Sequence, residues 1–210
     1  MRAAEVYRAV RAERLIAIVR GLPAEQAVPL AEALHAGGIR LLEITANTAG
    51  VMDMIRAVKQ ATAGRMVIGA GTVTTLDLAQ QALAAGAEYV IAPDVNPEVI
   101  GHCLERDVAV IPGAATPTEI LTARRLGLSL VKIFPAQALG VNYIRQLRGP
   151  IDDVDFLAVG GVDARNLGEF IQAGCLGAGL GGSLVRKDLI QAKDWAGLTR
   201  LAEECKRVLG

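Results

Sequence analysis

The chain has 210 residues, enough for one domain whose core can be buried on all sides. Hydrophobic residues make up 52% of it and aromatics only 3%, so the core must be built from Ala, Val, Leu and Ile, as in parallel sheets covered on both faces. The 22 basic residues equal the 22 acidic ones, which leaves neither the basic footprint of a nucleic-acid binder nor a charge bias toward a membrane surface.

In chain order, residues 3–12 read as a helix ahead of the first strand. Charges run through this segment, so it lacks the uninterrupted apolar stretch of a signal peptide. Eight strand-length apolar runs follow: LIAIVR (15–20), LLEIT (41–45), MVIGAG (66–71), YVIAP (89–93), VAVIPG (108–113), LVKIFP (130–135), FLAVGG (156–161) and GAGLGG (177–182). None approaches the roughly 20 apolar residues of a membrane span. None alternates polar with apolar, as expected of strands buried on both faces.

Helical periodicity separates the runs. In residues 23–38 the apolar positions are Ala27, Leu30, Ala31 and Leu34, and a Gly37–Gly38 pair stops the helix. Residues 75–88, 96–107 and 116–127 repeat the pattern. Asn96 and Thr116 each precede a proline and a glutamate, an N-cap followed by Pro at the first helical position. Late helices are expected at 165–173 and 195–208. Regular alternation of strand and helix predicts a parallel sheet, and eight repeats permit closure into a single (β/α)8 TIM barrel over residues 1–210, with an extra N-terminal helix. An open doubly wound sheet would place Gly-x-Gly-x-x-Gly after the first strand, and Arg20-Gly21-Leu22-Pro23 does not match. Cys103, Cys175 and Cys205 are scattered, form no C-x-x-C pair and point to a reducing cytoplasm.

Chemistry in such a barrel sits at the C-terminal ends of the strands, so polar residues there carry the information. Lys132 interrupts Leu130-Val131-Lys132-Ile133-Phe134. Burial disfavours its charge and makes a neutral amine available as a Schiff-base nucleophile; a lysine snorkelling out along its stem is the alternative. Glu43, in the second strand, is placed to move protons or to pair with Lys132 or Arg20. Gly160 and Gly161 end the seventh strand, and Gly181, Gly182 and Ser183 follow the eighth. Their amides, with the helix N-termini beyond them, suit an anion such as phosphate, although glycines can also serve only tight turns. Small residues before Thr72 leave room for a ligand beside its hydroxyl. Phe134 shares the inward face of Lys132, either as an apolar wall or as barrel filling. His35 and His102 fall within helical patterns, which disfavours a metal site or a Ser-His-Asp hydrolase.

The segments LLEIT, GAGTV, PGAATPTE, VKIFPA, VGGV and GLGGSLV occur in order from about Arg20 to Ser183. Together they resemble the 2-keto-3-deoxy-6-phosphogluconate aldolase family. The resemblance implies a class I aldolase that works without metal or organic cofactor, as a homotrimer, on a small 2-keto acid. It casts Lys132 as the Schiff-base lysine and Glu43 as the general acid/base. Arg20, Thr72, Pro93 and Phe134 correspond to the pocket around the pyruvate half, and Gly160, Gly161, Gly181, Gly182 and Ser183 to the phosphate grip. Asn47 stands where the phosphogluconate enzymes often carry a substrate-binding Arg, and Val159 where they usually carry Thr. Both differences resemble the 6-phosphogalactonate branch, and 4-hydroxy-2-oxoglutarate is a further substrate of this kind. The competing readings are a non-covalent sugar-phosphate isomerase or decarboxylase barrel and a non-catalytic sugar-phosphate binding protein.

Overall fold

The computed structural model describes residues 1–209. Helix α1 (Ala3–Glu13) precedes β1 (Leu15–Val19), and the alternation then runs α2 (Ala27–Ala36), β2 (Leu41–Thr45), α3 (Val51–Thr62), β3 (Val67–Gly71), α4 (Leu76–Ala84), β4 (Tyr89–Ile91) and α5 (Pro97–Glu105). The fifth barrel position is split into β5 (Ala109–Ile111) and β6 (Gly113–Ala114). After it come α6 (Pro117–Arg125), β7 (Leu130–Ile133), α7 (Ala136–Leu139), α8 (Val141–Arg148), β8 (Asp155–Val159), α9 (Leu167–Gln172), β9 (Gly177–Leu180), α10 (Lys187–Gln191) and α11 (Trp195–Leu209).

All pairings are parallel, in the order β5-β4-β3-β2-β1-β9-β8-β7-β6. The two ends of that order are the two halves of one strand, separated only by Pro112, so the sheet closes on itself. The expected TIM-type barrel forms, with its fifth strand interrupted at Pro112. Pro112 has no amide to give a neighbour, but its carbonyl accepts from Lys132 N at 2.8 Å, and that bond begins the seam.

Strand periodicity divides the side chains into two layers. Ala17, Val19, Leu42, Ile44, Val131 and Ile133 face outward into the large core beneath the helices. Ile16, Ile18, Leu41, Ile91, Ile111, Leu130 and Leu157 fill the barrel, where they meet Val6 and Val10 of α1. Helix α1 therefore stoppers the N-terminal end. Its Tyr7 hydroxyl accepts from Val110 N at 3.1 Å and donates to Val110 O at 2.9 Å, supplying β5 with both bonds that a neighbouring strand would otherwise give.

The expected caps form. Asn96 Oδ1 accepts from the amides of Glu98 and Val99, and Thr116 makes a capping box with Glu119. Helices α3 and α8 go beyond the sequence-based expectation. The first buries Val51, Met54, Ile55 and Val58 at helical spacing, but Gly50 precedes it with φ +70° and no capping side chain. Cys103, Cys175 and Cys205 are buried and unpaired. Among the described residues no helix is long and apolar enough to cross a membrane.

Replacing Tyr7 by Phe should strand the Val110 amide and carbonyl and cost about 1–3 kcal/mol of unfolding free energy in urea titration. Unchanged stability would show that the seam beside β5 closes without α1.

Candidate active site

Lys132 and Glu43 both point into the barrel, 4% and 1% exposed respectively. Strand β7 fixes the lysine, which lies opposite Gly113 of β6 and Leu157 of β8. Strand β2 fixes the glutamate between Ile18 of β1 and Gly69 of β3. Among the described residues, neither Glu43 oxygen has a hydrogen-bond partner. Burial holds the Glu43 carboxyl above its ordinary pKa, while the charges of Lys132 and Arg20 pull it back. Burial likewise holds the Lys132 ammonium below its ordinary pKa, with Glu43 opposing and Arg20 reinforcing. An amine and a carboxyl are thus each drawn toward neutrality, the states in which one can attack a carbonyl and the other can pass a proton.

Glu43 has room because Gly71 has no side chain. A methyl on Gly71 would stand 1.6 Å from Glu43 Oε1, well inside contact distance. The sequence reading saw small residues here as space for a ligand, and part of that space belongs to the carboxylate. Pro93 reaches the site through its backbone: a methyl on Gly113 would lie 2.3 Å from the Pro93 carbonyl, and Gly113 is the residue paired with Lys132.

Above this floor opens a cleft of about 820 Å³. Arg20, Phe134, Gly160, Gly161, Gly181, Gly182 and Ser183 all line it. The Lys132 ammonium sits 4.8 Å from the centre of the Phe134 ring, which is 39% exposed and so joins the buried pair to the open cleft. Arg20 donates to Thr72 Oγ1 at 3.3 Å. Thr72 takes φ +56°, a left-handed conformation that costs a β-branched residue about 1–3 kcal/mol and that here ends β3 beside the mouth.

The two glycine loops converge. Ser183 Oγ donates to Val162 O at 2.7 Å, and Leu184 N and Val185 N both donate to Gly181 O. Among the described residues, the amides of Gly161, Gly182 and Ser183 donate to no protein acceptor and remain available to an anion. One expectation is corrected: the regular helices begin further on, at Leu167 and Lys187, so the available amides belong to turns and not to helix N-termini. Asn47 stands exposed on the turn after β2, at the C-terminal end of the strand that carries Glu43. The turn is held from within by Thr48, whose Oγ1 meets Thr45 Oγ1 and accepts from Gly21 N.

Sequence reasoning missed the charged rim. Arg165 pairs with Asp163 at 2.6 Å, Arg186 pairs with Asp188, and Lys187 and Gln137 complete this side of the cleft. These residues follow the glycine motifs directly, which is the signal that could have found them. Among the described residues, no group of three His, Cys, Asp or Glu is placed to hold a metal ion.

A closed (β/α)8 barrel with a buried amine and a buried carboxyl, under loops suited to an anion, has the layout of a barrel enzyme. The family model for KDPG and KHG aldolase matches residues 6–201, and the chain belongs to that family. It is 39% identical to a 2-dehydro-3-deoxy-phosphogluconate aldolase of Treponema pallidum, over 98% of each chain. It is 37% identical to a 2-dehydro-3-deoxy-6-phosphogalactonate aldolase of Escherichia coli, over 82% of this chain and 84% of the relative. The KDPG aldolase of Legionella pneumophila, solved with pyruvate captured as a covalent carbinolamine, superposes with a TM-score of 0.88 at 30% identity, covering 93% of this chain and 95% of that one. The chain is a class I aldolase.

Two predictions follow from the geometry. Gly71→Ala must displace the Glu43 carboxylate, and turnover should fall about 100-fold in steady-state kinetics while the protein still folds; near-normal turnover would mean that Glu43 does not need its present place. The opposed charges around Lys132 give a signed test. Glu43→Gln removes the charge that raises its pKa, so the pH limb for trapping neutral amine should move down, whereas Arg20→Ala should move it up. Shifts of the same sign in both variants would contradict this electrostatic picture.

Proposed function

We propose that residues 1–210 act as one aldolase domain, in which Lys132 is the Schiff-base lysine for a 2-keto-3-deoxy-6-phospho sugar acid of the gluconate or galactonate type. The products are pyruvate and glyceraldehyde 3-phosphate. 4-Hydroxy-2-oxoglutarate, cleaved to pyruvate and glyoxylate, is the shorter substrate of the same chemistry. The observation that carries this reading is a lysine buried inside a barrel strand, with a buried carboxyl that has no hydrogen-bond partner on the same barrel lining.

Neutral Nζ of Lys132 attacks the C2 ketone to give a carbinolamine; the protonated Glu43 carboxyl gives its proton to the departing hydroxyl, so that water leaves, a protonated imine remains and Glu43 is left ionised. Glu43 takes the proton of the C4 hydroxyl. The C3–C4 bonding pair then moves into the imine, releasing the aldehyde and leaving an enamine. Reprotonation at C3 and hydrolysis free pyruvate and return the amine. Arg20 and Thr72 hold the keto-acid carboxylate at the mouth of β1 and β3. The amides of Gly161, Gly182 and Ser183 hold the distal phosphate, and Lys187 adds positive charge at a rim where Arg165 and Arg186 are paired with Asp163 and Asp188. Asn47, on the exposed turn after β2, is a further substrate-binding residue at the barrel mouth. The family resemblance implies a homotrimer, and three unpaired buried thiols support a cytoplasmic setting.

Incubation with pyruvate and borohydride, followed by peptide mapping, should place a reduced adduct on Lys132, and Lys132→Ala should abolish both adduct and cleavage while remaining folded. An adduct on another lysine, or undiminished cleavage by the alanine variant, would overturn the assignment.

A further inference from the structure

The barrel holds one more polar group that the proposed chemistry does not use. Tyr89, the first residue of β4, is wholly buried and points inward with Ile91 and Ala109. Among the described residues, the buried side-chain oxygens without a hydrogen-bond partner are those of Glu43 and the Tyr89 hydroxyl. Such atoms are rare in folded proteins, because each forfeits its hydration without replacement. That all of them share one barrel interior calls for a common reason.

The backbone brings the two side chains together. Glu43, Gly69 and Tyr89 are successive partners across β2, β3 and β4, so they lie in one row of the barrel lining. Between them stand the two inward-facing glycines of β3. A methyl on Gly69 would meet Tyr89 Cε2 at 2.3 Å and Cζ at 2.4 Å, so the hydroxyl-bearing end of the ring lies across Gly69, on the strand next to Glu43. The Glu43 carboxylate occupies the neighbouring inward position, over Gly71. Two glycines two residues apart thus admit a phenol and a carboxylate side by side, about 7 Å apart along the strand at their backbones. The charged or titratable groups facing Glu43 are Lys132 and Arg20, and those facing Tyr89 are Glu43 and Glu88. Burial first, then Glu43 and Glu88, keeps the phenol protonated well beyond its ordinary range, so it is a donor at every working pH.

We infer that Tyr89 is a positioning residue for Glu43: its hydroxyl donates to the carboxylate, through one water or after a turn of the Glu43 side chain, and holds it ionised and aimed between proton transfers. This rests on the reading of Glu43 as the proton carrier. A second donor matters because the amine beside Glu43 becomes an imine and then an enamine during turnover, which changes the charge that faces the carboxylate. Lys132 alone cannot hold Glu43 constant through that cycle, whereas a phenol remains a neutral donor throughout.

Tyr89→Phe removes the hydroxyl and keeps the ring on Gly69, so folding is preserved and thermal stability should be unchanged or slightly raised. Three readouts separate the proposal from a packing role. Deuterium exchange at the pyruvate methyl, which reports enamine protonation, should slow by about tenfold, the worth of one hydrogen bond to a charged group. The pH limb of exchange that needs ionised Glu43 should move up, because a donor to the carboxylate is gone. In a Glu43→Gln background, the same substitution should have no further effect on exchange. The final extent of borohydride trapping on Lys132 serves as the control and should match wild type. Normal trapping with unchanged exchange and an unchanged pH profile would overturn the role of Tyr89 and leave the lysine mechanism standing. A tenfold loss that persists in the Glu43→Gln background would also overturn it, by showing that the hydroxyl does not act through Glu43. Failure of the wild type itself to trap pyruvate would remove both readings together.

Discussion

The constraint on which the structure turns is the cost of placing an amine and a carboxyl inside an apolar barrel. Neither group keeps its full hydration there, and each therefore leans toward its uncharged form. Water outside would erase that bias, so the bulk of the fold can be read as the means of keeping solvent away from two side chains. Ile18, Leu157 and Val159 pack around the pair, Phe134 lies over the ammonium, and α1 seals the far end. The charge balance of the whole chain says nothing of this arrangement, because what matters is local dielectric and not net charge.

A small barrel has little inner volume, and its glycines distribute it. Gly69 and Gly71 yield their side-chain space to Tyr89 and Glu43, and Gly113 yields its own to the Pro93 backbone. At the rim the role reverses: Gly181 and Gly182 have nothing within 4 Å of where a side chain would begin, and that openness is what an anion needs. One residue type thus serves close packing below and access above. The strain at Thr72 belongs to the same economy, since its left-handed turn directs the hydroxyl toward Arg20.

Much of this was legible in the chain. Eight unbroken apolar runs, each followed by helical periodicity or a capped proline, define the barrel, and a charged residue inside such a run marks the site. Lys132 and Glu43 could be found because a strand buried on both faces gives a charge no indifferent place to go. What stayed hidden has physical causes. Tyr89 looked like ordinary strand composition, because only the register with Gly69 and Glu43 gives its hydroxyl meaning. Tyr7 is one of many residues on an amphipathic helix until Val110 is seen to lack a neighbouring strand. Gly71 was read as ligand space because sequence shows a missing side chain and not what fills the gap. The break at Pro112 divides a run that reads as continuous, since a proline interrupts pairing without interrupting hydrophobicity.

The stopper formed by α1 has a consequence for traffic. With Val6 and Val10 plugging one end, the barrel is a chamber with a single door. On the proposed chemistry, with Lys132 at the bottom and the glycine loops at the threshold, a substrate spanning both arrives with its keto end leading. When such a molecule is cut in two, the fragment at the threshold blocks the fragment below until it departs. The order of release is then imposed by architecture: the piece attached to the lysine is always the last to leave.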